Sequence, residues 1–199
     1  MQLQEDLNSV ERWLSTVGLN FHPEKCSIVS YKNNKIKYNY TLGGIPIQSQ
    51  TQIKDLGIII QNDLSFQCHQ KEIEKKAYRK LGMIIRYSKS IKDLDAIKML
   101  FLAHVRSILE YGSVIWAPKT KKGKESIEKI QKCFIRYLFK KENGFYPLFP
   151  TYIPYKLLIE QLDIQTLEER RESESIKLIE KVLNNRIYSP YILEKCVFI

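Results

Sequence analysis

The sequence contains few cysteine, glycine and proline residues: 4 Cys, 8 Gly and 7 Pro among 199 residues. The cysteines lie dozens of residues apart, and neither a C-x-x-C pair nor a nearby histidine gives them the spacing of a zinc site. We therefore expect no zinc site, and the chain is predicted to be reduced and intracellular. Glycine and proline are too scarce for a collagen-like chain or a flexible linker.

Long apolar runs are also missing. The longest candidate, residues 99–109, is interrupted by His104 and Arg106, whereas a membrane-spanning helix needs roughly 18 apolar residues. Residues 1–11 are polar and acidic rather than basic and then apolar, so no secretory signal is predicted. The sequence thus predicts a protein that does not span a membrane. With 44% apolar residues and 12 Tyr, 8 Phe and 2 Trp, it is also expected to fold.

The positive charge is concentrated in one segment. The formal net charge is +10, and residues 68–142 contain 19 Lys and Arg against 8 Asp and Glu, whereas the remaining residues contain 13 against 14. Clustered cations gain affinity for nucleic acid by displacing counterions from its phosphates. A solvated helix surface and an acidic membrane surface are the alternatives that charge alone leaves open.

The first third of the chain is predicted to contain one helix and a few strands. Apolar residues from Leu3 to Val17 recur every three or four positions, which predicts a helix that Gly18 ends. Strands are predicted at 27–31, 36–42 and 53–60, with a turn at 32–35, a turn at Gly43 and Gly44, and a short edge at 45–47. Three or four strands and one helix are few for an independent domain, so we expect this region to be the end of a larger one.

Helices are predicted after Asp63. In the first, Lys71, Lys75 and Arg79 lie with Lys76, Lys80 and Arg86 opposite an apolar face. The second begins with Asp93 as its N-cap, and its many apolar residues up to Leu109 predict a buried central helix. The third follows Gly123; its apolar face is Ile127, Ile130, Phe134 and Leu138, and its opposite stripe is Lys129, Lys132, Arg136 and Lys140. A connection at 146–155 and a charged helix at 164–184 complete the chain.

Several blocks resemble a known family, in the same order and at similar spacing. They read LQEDLNSVERWLSTVGLNFHPEKC, IKDLGIIIQNDLSFQCH, KKAYRKLGMIIR, LEYGSVIWAP, IEKIQKCFIRYL and LDIQTLEERR. Together they resemble the later part of the reverse transcriptase of non-LTR retrotransposons, especially the jockey-like group. The resemblance implies an α+β chain with the end of a polymerase palm at 1–66, a helical basic thumb at 67–145 and a helical extension at 146–199.

The resemblance also implies roles for individual residues. Gly18, Leu19, Asn20 and Lys25 resemble motif D of the palm, where the lysine can donate a proton to the departing pyrophosphate. Leu56 and Gly57 resemble the primer grip, although Gly57 equally fits a turn or a bulge. Residues 63–66 resemble the beginning of the thumb, and the basic residues of the two helices would bind an RNA or DNA primer-template.

The family's catalytic aspartates have no counterpart here. The intact polymerase holds two Mg²⁺ ions on clustered carboxylates, but the six aspartates of this sequence include no adjacent pair: Asp6, Asp55, Asp63, Asp93, Asp95 and Asp163. We therefore expect the chain to bind no metal or other cofactor and to add no nucleotides alone, since a general acid such as Lys25 contributes only about 10²- to 10⁴-fold on top of metal chemistry. Another chain could supply the missing part of the palm.

Other residues admit a functional and a structural interpretation. Tyr78, Tyr87 and Tyr137 are candidates for base stacking, but aromatic residues at helical spacing more often pack in a core. Trp13 and Trp116 are expected to pack, His104 to be a hydrogen-bonded core histidine, and residues 168–171 to form a salt-bridged helix surface. Two other functions stay open: a free-standing basic RNA- or DNA-binding module, and a helical domain that binds an acidic protein.

Overall fold

The fold is α+β, as the sequence predicts. The computed structural model describes residues 2–31, 38–148 and 152–196. These form two compact units, 1–69 and 70–199. The predicted division at 66/67 and 145/146, with its assignment to palm, thumb and extension, stays a prediction. The predicted turn at 32–35 and the first two residues of the predicted strand at 36–42 lie outside the described residues.

The first unit begins with a helix and continues as short strands. Helix α1 (Gln2–Thr16) is followed by Gly18 at a φ of +73°, which confirms the predicted glycine cap. A single 3₁₀ turn spans Pro23–Lys25. The strands are β1 (Ser27–Val29), β2 (Thr41–Leu42), β3 (Ile45–Pro46), β4 (Gln48–Gln50), β5 (Gln52–Asp55) and β6 (Ile58–Gln61). β1 pairs with β4 in parallel, and β2–β3 and β5–β6 are antiparallel hairpins.

The prediction of one strand over residues 53–60 is wrong. The run forms two strands joined at Leu56 and Gly57, whose φ angles are +43° and +85°. Two consecutive residues with positive φ are typical of the turn whose twist matches a two-residue hairpin. Leucine rarely takes this conformation, so the apolar run conceals the turn and only Gly57 signals it.

The first unit has a small apolar core. Among its described residues, Leu42 and Ile58 are the buried hydrophobic side chains. Trp13 was expected to pack, but the structure leaves it 61% exposed on α1, which shows that expectation to be wrong. The apolar side chains of α1 are exposed or half-buried because the described strands cover little of the helix. Burial therefore contributes much less stability here than in a full domain.

We expect the first unit to open more readily than the helices of the second. Each sheet in the described residues has only two strands, and isolated two-stranded hairpins are marginally stable in water. The amide hydrogens of the β5–β6 hairpin should therefore exchange with solvent at least about 100-fold faster than those of the buried helix residues at 97–109. Equal protection of the two regions would contradict this expectation.

The second unit is helical. Its elements are α2 (Gln67–Tyr87, which starts three residues before the unit), α3 (Leu94–Phe101), α4 (Ser107–Glu110), α5 (Ser113–Trp116), α6 (Lys121–Asn143), α7 (Tyr155–Gln161), α8 (Leu167–Leu183) and α9 (Pro190–Cys196). The predicted cap is confirmed, since the Asp93 carboxylate accepts hydrogen bonds from the backbone N–H groups of Asp95 and Ala96. Residues 102–106 join α3 to α4 as a π-helical turn.

The central helical segment is not buried on all sides, contrary to the prediction. Ile97, Phe101, Val105 and Leu109 are fully buried at four-residue intervals, and Phe101 stacks on Phe134 of α6. Met99 and Leu100 are exposed, and so is His104, which was expected in the core. The π-helical turn adds a residue per turn, so the four-residue row stays on one face and the other apolar residues point outward.

Helix α6 forms the centre of the unit. It begins at Lys121 rather than after Gly123, because the hydroxyl of Thr120 caps it by accepting from the Gly123 N–H at 3.2 Å. The predicted apolar face is confirmed: Ile127, Ile130, Phe134 and Leu138 are all buried. A second row, Gln131, Ile135 and Phe139, is also buried, on a helix that packs against both α7 and α8. Trp116 is buried as expected.

Helix α8 begins with a capping box formed by Thr166 and Glu169. Residues 168 and 170 fit the predicted salt-bridged surface, because Glu168 pairs with Lys124 at 2.6 Å and Arg170 pairs with Glu110. Arg171 does not fit it. Its side chain is buried, and burial lowers the pKa of its guanidinium.

Candidate nucleic-acid interface

Helices α2 and α6 lie side by side and run in the same direction. Near their N-termini, the Gln70 amide donates to the Gly123 carbonyl at 3.1 Å. Near their C-termini, the hydroxyls of Ser88 and Tyr137 are 2.8 Å apart, and Lys141 Nζ donates to the carbonyl of Lys89 at 3.0 Å. Contacts at both ends place the two helices parallel over four to five turns. They bring together basic residues that are far apart in the sequence.

The basic stripe of α2 is exposed, as expected. Lys71, Lys75 and Arg79 are exposed, whereas the opposite face buries Ile73, Ala77, Leu81 and Ile84. Lys76 is different, because its ammonium pairs with Glu72 at 2.6 Å. Within residues 2–31, 38–148 and 152–196, the three stripe cations have no carboxylate partner. Their charge is thus available to an outside anion.

On α6, the predicted stripe divides. Lys129 is exposed, Arg136 is half-buried, and Lys140 is exposed with its ammonium 4.4 Å from the ring centre of Tyr146. Lys132 points elsewhere: its ammonium lies 5.0 Å from the ring centre of Tyr155 on α7. Lys132 therefore belongs to the α6–α7 side of the helix rather than to the stripe.

The ring beside Lys132 is held in place by hydrogen bonds. The Tyr155 hydroxyl donates to Glu128 at 2.6 Å and accepts from Gln131 at 3.1 Å. Burial, with the adjacent Glu128 carboxylate, raises the pKa of Tyr155, so this hydroxyl stays protonated. Glu128 also accepts from the backbone N–H of Leu167 at the start of α8. This network gives Lys132 a structural environment that the sequence pattern did not reveal.

The remaining basic residues of the two helices face one side of the unit. Around α2, the buried face is followed by the side that contacts α6 and then by its exposed cations. Around α6, the same three sides occur in the opposite rotational order. The helices are parallel and their sides follow one another in opposite rotational order. The exposed cations of both helices therefore lie on the same surface, away from the core. We call this set the basic seam: Lys71, Lys75, Arg79, Lys129, Arg136 and Lys140.

The three tyrosine candidates differ in environment. Tyr137 hydrogen-bonds to Ser88 between α2 and α6, so it holds the helices together. Tyr78 is 40% exposed, and partial burial raises its pKa, with a smaller effect of the neighbouring Cys133 of α6. Tyr87, the last residue of α2, is 74% exposed. Two of the three are therefore open to a ligand.

A groove on the surface of α2 was not found by sequence reasoning. It has a volume of about 670 Å³, shares Arg79 with the basic seam, and has Gly82 among its lining residues. A Cβ built on Gly82 would meet the guanidinium of Arg86 at 3.7 Å, so Arg86 extends across the gap that the glycine leaves. A glycine inside an otherwise basic and aromatic helix was the one signal of this feature, since glycine is unfavourable there by about 1 kcal/mol.

The candidates in the first unit have exposed positions. Lys25 is the last residue of the 3₁₀ turn, and its backbone N–H donates to the His22 carbonyl at 2.9 Å. Leu56 and Gly57 form the tip of the β5–β6 hairpin rather than the middle of a strand. The hairpin tip agrees with the alternative of a turn at Gly57, whereas the primer-grip resemblance stays a prediction.

Two of the described aspartates accept hydrogen bonds from nearby backbone N–H groups. In the described ranges, no group of three or more His, Cys, Asp and Glu side chains could hold a metal ion. Asp93 caps α3, and Asp63 accepts from the Ser65 N–H at 2.9 Å, which lowers the pKa of Asp63. These aspartates bind nearby backbone instead.

The chain matches no protein-family model, no curated protein and no solved structure. Over the residues that the structure describes, no helix has the length and apolar character needed to cross a membrane.

Proposed function

We propose that this protein binds a nucleic-acid duplex of the primer-template type through the basic seam, as a chain derived from a non-LTR retrotransposon reverse transcriptase. The single observation that carries the proposal is the alignment of α2 and α6. It gathers six cations on one surface, and their stripes lie parallel.

The chemistry of the seam suits phosphates. Lysine and arginine on a solvent-exposed surface displace the counterions that condense on a duplex, and this effect needs no base-specific contact. Arg79 and Arg136 can each hold a phosphate with two parallel hydrogen bonds, whereas the lysines act as point charges. We therefore expect affinity for many sequences, with phosphate contacts dominating.

The resemblance supports a place for this surface in the polymerase thumb, which grips the primer-template. Mg²⁺ would serve the intact parent enzyme, where it activates the primer hydroxyl and stabilises pyrophosphate. The proposed role of this chain is binding, because contacts between lysine or arginine and phosphates need no assembled metal site.

Salt-dependent binding tests this proposal. A labelled RNA–DNA duplex should bind in a fluorescence-anisotropy titration, and log affinity should fall with log salt at a slope of roughly −3.5 to −5.5, as expected if about four to six phosphates are neutralised. The slope should be nearly the same for duplexes of unrelated sequence. Absence of binding at low salt would overturn the proposal.

Competition separates this function from recognition of an acidic protein. Polyglutamate presents carboxylates without the charge spacing of a duplex, about one phosphate per 1.7 Å of axis. At equal charge concentration, unlabelled duplex should displace the labelled duplex much better than polyglutamate does. Equal displacement by polyglutamate would favour the protein-interaction alternative instead.

A further inference from the structure

The groove on α2 has a composition different from that of the basic seam. It combines four cations of α2 with aromatic and apolar side chains: Lys76, Arg79, Lys80 and Arg86 line it together with Tyr78, Tyr87 and Met83. Its volume of about 670 Å³ lies within the range of about 300 to 1,000 Å³ that holds small organic ligands. Phosphates need cations but no apolar wall. The groove therefore suits a ligand that combines a flat apolar surface with negative charge.

Gly82 opens this space. Any larger side chain at position 82 would project between the two arginines, which are three residues before it and four after it in the helix. Arg86 reaches to within 3.7 Å of the position that a Cβ of Gly82 would occupy. Neither Arg79 nor Arg86 has a carboxylate partner among the described residues. Both guanidinium groups thus remain open to an anion beside the groove.

We propose that this groove binds an unpaired nucleobase at the end of the duplex, with Tyr87 stacking on the base and Arg86 binding the adjacent phosphate. The inference rests on the proposed function, because the base arrives on a strand already held by the basic seam. Arg79 belongs to both surfaces and gives the phosphate backbone a continuous path from one to the other.

The chemistry favours an unpaired base over a base pair. A paired base is covered on both faces by its neighbours, so its ring is not free to stack on a side chain. An unpaired terminal base exposes a face, and every base has one, so stacking on tyrosine tolerates any sequence. The predicted ligand is a duplex with a short single-stranded tail, held with little base preference.

Paired probes test the inference. A blunt RNA–DNA duplex is compared with the same duplex carrying a three-nucleotide tail at either strand end, with 2-aminopurine as the first unpaired base. The protein should bind one tailed form roughly 5- to 150-fold more tightly than the blunt form, the factor that stacking of one base contributes. The fluorescence of 2-aminopurine should fall on binding because the base stacks.

Tyr87→Ala should remove this preference and the fluorescence change, while Tyr87→Phe should keep both. Tyr188→Ala is the matched control, because Tyr188 is an exposed tyrosine of the same unit outside the groove. Gly82→Leu is a second test variant, because it fills the groove without removing an aromatic ring. It should also remove the preference for the tailed duplex. Circular dichroism verifies that each variant is folded.

The outcomes separate the two proposals. Salt-dependent binding of the blunt duplex, with no gain from either tail, would overturn the groove assignment and leave the basic seam intact. A tail preference that survives both Tyr87→Ala and Gly82→Leu would overturn it as well. Failure of wild-type protein to bind any of the duplexes at low salt would overturn the proposed function, and the groove assignment with it.

Discussion

Replacing Lys71, Lys75, Lys129 and Arg136 together by glutamine should weaken duplex binding by roughly 10³- to 10⁴-fold at about 0.1 M salt. Each lost phosphate contact removes close to one released counterion, which is worth up to about tenfold in affinity at this salt concentration. The slope of log affinity against log salt should flatten by about 3 to 4 units. Fluorescence anisotropy at several salt concentrations measures both quantities.

A matched variant separates the basic seam from overall charge. The control replaces four other exposed cations of the same unit, all outside the seam, by glutamine: Lys156, Lys177, Lys181 and Arg186. It therefore removes the same number of positive charges. This control should bind nearly as well as wild type and keep its slope. Similar losses in the two variants would show that net charge, rather than the seam, drives binding.

A single replacement at Lys132 refines the same test. The sequence pattern groups Lys132 with the α6 stripe, but its ammonium lies over the ring of Tyr155. Lys132→Gln should therefore change the salt slope less than Lys129→Gln does, although both residues are lysines on one helix.

Phe134→Ala should lower the free energy of unfolding of the helical unit by about 3 to 5 kcal/mol. Phe134 is 0% exposed, and its ring lies parallel to that of Phe101 with the ring centres 4.0 Å apart. Truncation removes the apolar contacts of the ring and leaves a cavity that α3 and α6 can only partly fill. Urea unfolding followed by circular dichroism measures the loss.

Phe145→Ala is the matched control for this prediction. It removes the same ring from a partly exposed position, where Phe145 meets Phe139 edge to face with centres 5.5 Å apart. Phe145→Ala should lower the free energy of unfolding by less than about 1.5 kcal/mol, because part of the ring is already exposed to solvent. Equal costs for the two variants would contradict the assignment of Phe134 to the centre of the core. Where Phe134→Ala remains folded, its salt slope should match that of wild type.

Local sequence signals predicted the features that depend on neighbouring residues. Asp93 caps α3 because its carboxylate reaches backbone N–H groups two and three residues ahead, and Gly18 follows α1 because glycine accepts positive φ at little cost. Predictions were wrong for residue types that occur both in cores and on surfaces. Trp13 and His104 were both expected to pack, yet whether either is covered depends on what another segment places against it.

The sequence by itself determined the long helices α2, α6 and α8 and the buried faces of α2 and α6, but not the short helices α5, α7 and α9. The 3.6-residue period sets this locally, so the buried row from Ile127 to Leu138 and the exposed cations of α2 were predictable. Only the tertiary structure decided how the faces combine. Gln70 meets Gly123 and Ser88 meets Tyr137 across about fifty intervening residues, and Tyr155 draws Lys132 away from the stripe. Periodicity says nothing about which helix lies beside another, because that depends on how all the apolar faces pack together.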